Sequence, residues 1–214
     1  SCMKAIDFIK TSKFDGVIAI GGGSVMDTAK TVMASIGAGF NDLTKLLKVT
    51  NPFENKIPSI FIPTTHGTGS EVTMWGTIWN MKEKRKYSIS HQDLYPNVAI
   101  LDGNLTLSLP LDISIICTLD ALSHSFEAIW NKHANPSSTA YAIEAILLII
   151  SNIDCFKKEP NNLAIRNRLM IASNKAGLAF SNTKTAAAHS ISYPLTLRYG
   201  MPHGIASSIS LIPL

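Results

Sequence analysis

Two patterns of hydrophobic and polar positions divide the chain. Cys2 to Lys13 carries apolar residues at helical spacing. Asp15 to Ile20, DGVIAI, is a short run of β-branched residues bounded by glycines, the pattern of a strand buried in a parallel sheet. GGGSVMDTAK followed by TVMAS then predicts a tight glycine turn that opens a helix, so the order is helix, strand, turn, helix, as in α/β folds. SIFIP at 59–63 reads as a second buried strand, again followed by a Gly/Thr-rich loop. Glu71 to Ile89 alternates loosely around a charged turn at Lys82 to Lys86, which predicts an antiparallel hairpin inserted in the sheet, and NVAIL at 97–101 predicts one more short strand.

From Leu111 onward the pattern is helical: Leu111 to Asn131, Ser137 to Ile150 and Leu163 to Phe180, with no strand candidates. The expected organisation is an α/β domain over 1–109 and an all-helical domain over 110–214. Two features point to a fragment truncated at both ends. The first strand arrives only at residue 15, whereas a dinucleotide fold usually opens with one or two strands that build the sheet centre. SISLIPL, at 208–214, stops within an apolar helical pattern.

Composition narrows the class. With 46% hydrophobic and 16% charged residues over 214 positions the chain has ample material for a core, which excludes a disordered protein. The formal charge of +4 is spread thinly, so it says little about nucleic acid and is compatible with an anionic ligand. Cys2, Cys117 and Cys155 have no CxxC spacing, which favours reduced thiols over a disulfide scaffold. No basic leader is visible, and the longest apolar stretch, Ala145 to Ile150, falls far short of the roughly 20 residues a spanning helix needs. The expectation is a soluble cytoplasmic protein without nucleic-acid or membrane partners.

Candidate chemistry falls in four places. Gly21, Gly22 and Gly23 end a strand and Ser24 opens a helix, which aims backbone N–H groups and the positive helix end at one point. That suits a phosphate, although a turn required only by strand-to-helix geometry has the same pattern, and neither GxGxxG nor a Walker sequence is present. The loop Pro63 to Glu71, PTTHGTGSE, sets hydroxyls and glycines after a strand, either to bind phosphate and ribose or simply as a polar loop. Asp120 and His124 lie four apart on a predicted helix, so a carboxylate and an imidazole share one face, a spacing that is also common by chance. His189 and His203 follow, separated by Pro194, Gly200 and Pro202, which can break the helix and turn the second histidine back toward the first. One carboxylate with three imidazoles would suit Fe2+ or Zn2+, and a single exchangeable position would make that metal a Lewis acid. His66 reads as a loop residue, His91 and His133 as surface residues, and Cys117 as core.

These motifs, in this order, resemble the iron-containing (group III) alcohol dehydrogenases. The segments that carry the resemblance are GGGSVMDTAK at 21–30, PTTHGTGSEVT at 63–73, LDALSHSFEAIW at 119–130 and HSISYPLTLRYGMPHGIA at 189–206. The resemblance implies an NAD(P)-binding α/β domain joined to an all-α metal-binding domain, in the architecture shared with dehydroquinate synthases. It implies metal ligation by Asp120, His124, His189 and His203. It places the cofactor pyrophosphate over Gly22, Gly23 and Ser24, adds Thr64, Thr65, Thr68 and Leu107 to the cofactor side, sets Lys86 at the ribose, and turns Asp27 toward the nicotinamide. Many members carry a histidine four residues after the third ligand. This chain has Tyr193 there, so a proton role would pass to a phenol.

The implied activity is hydride transfer between NAD(P)H and a small aldehyde or primary alcohol, in a homodimer or larger assembly. ALSHSFEAIWNKHANP and HSISYPLTLRYGMPHG look most like the phosphonoacetaldehyde reductase branch, for which Arg198 is the candidate partner of a substrate anion. Two other readings stand beside this one. A dehydroquinate-synthase-like lyase or cyclase usually ligates metal with a glutamate and two histidines, against which the D-x-x-x-H helix weighs. The other is a non-catalytic fragment.

Overall fold

The structure is a computed structural model that describes residues 2–9, 14–39 and 42–211. It contains α1 (Cys2–Ile9), β1 (Val17–Gly21), α2 (Gly23–Ala38), α3 (Leu43–Leu46), β2 (Ser59–Pro63), β3 (Trp75–Asn80), β4 (Arg85–Ser90) and β5 (Val98–Ala99). The helices α4 (Leu111–Trp130), α5 (Pro136–Lys158), α6 (Leu163–Thr183), α7 (Ala187–Tyr199) and α8 (His203–Ser208) follow. The chain forms two compact units, one of Ser1–Pro63 with Ser70–Ile100, the other of Thr64–Gly69 with Leu101–Leu214.

In the first unit a parallel sheet runs in the order β1-β2-β5, with Ile18 opposite Ile60 and Ile60 opposite Val98. Its core gathers Ala19 and Phe61 from the strands, Met26, Met33 and Ala34 from α2, Ile6 from α1, and Ile89 and Leu94. Gly21 turns the chain from β1 into α2 at φ 156°, and a Cβ there would come within 2.6 Å of Val25 Cγ2, so only glycine fits. The helix expected over 2–13 is seen as α1, and residues 10–13 lie outside the described residues.

The hairpin forms, but not as an insertion in the parallel sheet. Among the described residues β3 and β4 pair only with each other, Trp75 opposite Ser90 through Asn80 opposite Arg85. The start of β3 is anchored by Lys30 of α2. Its ammonium donates to the Trp75 carbonyl at 2.9 Å, to the Ser70 carbonyl at 2.6 Å, to Ser70 Oγ at 3.0 Å and to Thr73 Oγ1 at 2.9 Å. The start of β3 is thus held by a helix. His91, expected at the surface, is instead stacked on Phe53 at 4.1 Å, accepts the Asp93 N–H at Nδ1, and places Nε2 2.9 Å from the Asn51 carbonyl.

The second unit is helical and begins earlier in the chain than the expected division after residue 109. Gly103 N–H donates to Asn167 Oδ1 at 2.9 Å, and the buried Arg166 guanidinium donates to the carbonyls of Thr106, Leu109 and Pro160. Residues 101–109 therefore belong with α6. The loop 64–69 does too: Gly69 passes so close to Gly177 that an added Cβ would stand 2.5 Å from its Cα, and His66 Nδ1 meets Thr118 Oγ1 of α4 at 3.2 Å.

The helical core joins Ala121, Ala145, Ile149, Phe156, Ile165, Leu169, Ala172 and Ala176 of α4, α5 and α6. Asn135 and Ser138 form a reciprocal capping box at the start of α5, with Pro136 at its first position. Among the described residues α5 is long and apolar enough by length and composition to cross a membrane, although its longest uninterrupted apolar run is short. It packs here between α4 and α6 with Ala142, Ala145, Ile149 and Phe156 buried. Pro194 is accommodated inside α7, while Gly200 in the left-handed region ends that helix and Pro202 precedes α8. The expected helical continuation through 208–214 stops at Ser208, followed by a turn, and 212–214 lie outside the described residues.

Candidate functional site

Helix α4 presents Asp120, His124 and Glu127 at positions i, i+4 and i+7, one face of the helix, and buries all three. His189 is the third residue of α7 and is also buried. His203 is the first residue of α8 and half-buried. What brings α8 in is Gly204: a Cβ there would lie 1.9 Å from the Ile116 carbonyl oxygen, so only a glycine lets the start of α8 reach the α4 backbone.

Asp120, His189 and His203 converge, each offering one ligand atom within 4.8 Å of the others. Asp120 Oδ1 stands 3.4 Å from His189 Nε2 and 3.7 Å from His203 Nε2, and it accepts a hydrogen bond from Ser207 Oγ at 3.3 Å. His203 Nδ1 lies 3.4 Å from Ser192 Oγ. His124 adjoins this trio but is not one of its converging atoms. Its ring is sandwiched between Phe180 at 4.1 Å and His189 at 4.3 Å, both nearly parallel to it. Its Nδ1, like His189 Nε2, is buried without a hydrogen bond.

Sequence reasoning missed Glu127. One carboxylate oxygen, Oε2, is 2.5 Å from His189 Nδ1, and the other accepts the His189 backbone N–H at 3.1 Å. Its position seven residues after Asp120 was a legible signal for a shared face.

The electrostatics follow from burial. Desolvation drives His124 down to about 3, reinforced by the other imidazoles and opposed by Asp120, so it is neutral. Burial would also lower His189, but the carboxylates of Asp120 and Glu127 overcome this and raise it to about 9. Burial opposes ionisation of Asp120, yet the three histidines hold it well below the usual carboxylate range. Glu127 is lowered by its bond to His189, against the same penalty. The two carboxylates that flank His189 mark a place that favours positive charge. The oxygen and nitrogen donors, with two buried nitrogens that have no hydrogen bond, fit a divalent transition metal. Nearby, Cys117 is pushed up to about 12 by burial, which leaves it a thiol.

The residues expected to serve a cofactor fall in both units. In the first, Gly22 is the N-cap of α2, Gly23 and Ser24 begin its first turn, and no side chain caps that end. Asp27, one turn further, accepts a hydrogen bond from Ser70 Oγ at 2.8 Å, and burial raises its carboxyl while the charges of Lys30 and Lys86 pull it down. Lys86 sits on β4 opposite Trp79. In the second unit Thr64, Thr65 and Thr68 are half-buried, and Leu107 ends a short 3-10 turn, partly exposed. Tyr193 stacks its ring parallel to His203 at 6.3 Å, and Arg198 is exposed in the last turn of α7.

An α/β unit with an uncapped glycine turn, and a helical unit with a buried Asp/His cluster, define a class in which nucleotide and metal sites sit on separate folds. Comparison with known proteins makes the class specific. The model of the iron-containing alcohol dehydrogenase family matches residues 1–103, and the model of its C-terminal part matches 114–213. The chain belongs to the iron-containing alcohol dehydrogenase family. It is 32% identical over 209 residues to phosphonoacetaldehyde reductase of Streptomyces viridochromogenes, matching 95% of this chain and 53% of that protein. It is 34% identical to the NAD-dependent methanol dehydrogenase of Bacillus methanolicus, over 97% of this chain and 54% of the relative. The crystal structure of sulfoacetaldehyde reductase from Bifidobacterium kashiwanohense in complex with NAD+ superposes with a TM-score of 0.90 at 33% identity, over 98% of this chain and 56% of that one. The chain thus spans about half the length of the relatives it matches.

Proposed function

We propose that the protein is a metal-dependent oxidoreductase that transfers a hydride between NAD(P)H and a small aldehyde or its primary alcohol. The observation that carries this reading is the convergence of Asp120 Oδ1, His189 Nε2 and His203 Nε2 around a buried point that favours positive charge. Asp120, His189 and His203, with His124 beside them, are the residues that would hold Fe2+, and Zn2+ suits the same donors. A divalent ion bound there supplies Lewis acidity toward a substrate oxygen.

The remaining roles belong to the chain's own groups. The uncapped first turn of α2 at Gly22, Gly23 and Ser24 offers backbone N–H groups and the positive helix end to a pyrophosphate. Ser70 fixes the orientation of Asp27, which faces the nicotinamide end, and Lys86 serves the ribose. Thr64, Thr65 and Thr68 supply hydroxyls and Leu107 an apolar contact on the cofactor side. Tyr193, whose ring lies parallel to that of His203 at 6.3 Å, would hold or pass a proton at its phenol oxygen.

For the substrate we propose an aldehyde with an anionic group, phosphonoacetaldehyde in particular. Phosphonoacetaldehyde reductase and sulfoacetaldehyde reductase, two of the similar proteins above, are named for such aldehydes. Arg198 is the candidate cation.

The test is oxidation of NADH and NADPH by chelated protein reloaded with Fe2+ or Zn2+, with phosphonoacetaldehyde, propanal and lactaldehyde compared. Metal-restored turnover with a preference for phosphonoacetaldehyde is expected. Arg198→Ala is expected to reduce that preference roughly tenfold or more, the scale of one charge-assisted hydrogen bond. Equal turnover of all three aldehydes would remove the substrate proposal, and no metal-dependent oxidation of any would remove the activity.

A further inference from the structure

We infer that Glu127 is a positioning residue of the metal centre, holding His189 as the tautomer that presents Nε2 beside Asp120 and His203. This inference rests on the reading that those residues hold a divalent metal. Glu127 is fully buried; both its carboxylate oxygens accept from His189, and the carboxylate also accepts the Ala186 backbone N–H. The ring meets Oε2 at Nδ1, 2.5 Å away, and the backbone N–H meets Oε1 at 3.1 Å. A carboxylate only accepts, so the shared proton belongs on Nδ1 and the lone pair of a neutral ring falls on Nε2. That is the nitrogen lying 3.4 Å from Asp120 Oδ1 and otherwise without a hydrogen bond.

The backbone contact adds a second constraint. His189 is in the first turn of α7, where N–H groups have no intrahelical acceptor, and the residue before the helix, Ala186, supplies no side-chain cap. Glu127 fills that place from another helix, so one group sets both the start of α7 and the rotation of the ring on it. Because Glu127 and Asp120 are seven residues apart on α4, the orienting carboxylate and a converging oxygen are carried on one rigid element. A carboxylate behind a ligating imidazole fixes ring orientation and raises donor basicity.

A helix cap alone would explain the backbone bond, so the test must separate the two roles. Co2+ affinity is measured by chelator competition, with the visible absorption of the bound ion, for wild type, Glu127→Gln and Glu127→Asp, alongside unfolding of each metal-free protein. Gln keeps the volume but must turn an N–H2 toward one of the two His189 donors. The expected result is a loss of Co2+ affinity of roughly 10- to 100-fold in Glu127→Gln, with an altered spectrum and partial recovery in Glu127→Asp. Lower stability with unchanged affinity and spectrum would reduce Glu127 to a cap and overturn the inference. Failure of wild type to bind Co2+ would instead overturn the metal reading, and this inference with it. Should the variants not fold, 15N NMR of the Zn2+-loaded wild type decides: a proton on Nδ1 of His189 supports the inference, and a proton on Nε2 overturns it.

Discussion

Each unit buries a charged cluster, and the two clusters are finished differently. Around Lys30, three ammonium protons face four oxygen acceptors between 2.6 and 3.0 Å. Desolvation lowers Lys30 to about 8, while Asp27 and Glu71 oppose that shift. Around His189, two imidazole nitrogens, His189 Nε2 and His124 Nδ1, are buried without a hydrogen bond, although Asp120 Oδ1 stands 3.4 Å from the first. Unpaired buried polar atoms are costly, so a fold tolerates them where something else supplies the partner. On the reading proposed above, the saturated cluster serves the fold and the unsaturated one serves binding.

The strongest way to break this comparison is to empty the saturated cluster. Lys30→Met keeps an unbranched side chain but strands the Ser70 and Trp75 carbonyls and removes from Asp27 the charge that most lowers its carboxyl. The expected loss is about 3–5 kcal/mol, the scale for removing one partner of a buried charge, read by urea unfolding. Metal affinity should stay within a few-fold of wild type in whatever fraction remains folded. A loss below about 1 kcal/mol would show that the cluster does not hold the fold.

The converse holds for the unsaturated cluster. His203→Ala removes a half-buried ring at the start of α8, so unfolding of the metal-free protein should move by less than about 1 kcal/mol. Metal affinity should fall at least about 100-fold, or about 2.7 kcal/mol. Equal losses in stability and affinity would mean that the cluster is structural after all.

The same contrast marks what the sequence could and could not say. The shared face of Asp120 and His124 was legible because i, i+4 spacing is local. That His189 and His203 return to it was not decided by spacing, since it depends on Gly200 adopting a left-handed conformation and on Gly204 reaching Ile116 of α4. Glu127 could be placed on the right face, but its partner is 62 residues away and no local pattern joins them. The hairpin was legible from alternation. Its separation from the parallel sheet was not, because alternation does not say which strands pair, and the buried Lys30 that holds the start of β3 lies 45 residues before Trp75. In the loop 64–69 the glycines and hydroxyls drew attention, while His66 passed as an ordinary loop residue.

His66 gives the smallest and most selective test of what burial does to an unsaturated group. Its Nδ1 donates to Thr118 Oγ1, whose own proton goes to the Ser114 carbonyl, and Nε2 is buried without a hydrogen bond. Burial lowers it from 6.5 to about 4, so folding binds the neutral ring. Between those two values the unfolded chain carries the proton and the folded chain does not. Stability from this residue is therefore complete above about pH 6.5 and is lost as the pH falls toward 4. At pH 5 the loss relative to pH 7.5 is about 2 kcal/mol, from 1.36 kcal/mol per unit over the interval already traversed. Because His124 and the carboxylates titrate in the same region, the quantity to measure is the difference between wild type and His66→Ala in chemical unfolding at each pH. That difference should shrink by about 2 kcal/mol from pH 7.5 to pH 5. A difference that does not change with pH would mean that His66 keeps its proton in the fold, and that Nε2 has found a partner which accepts it.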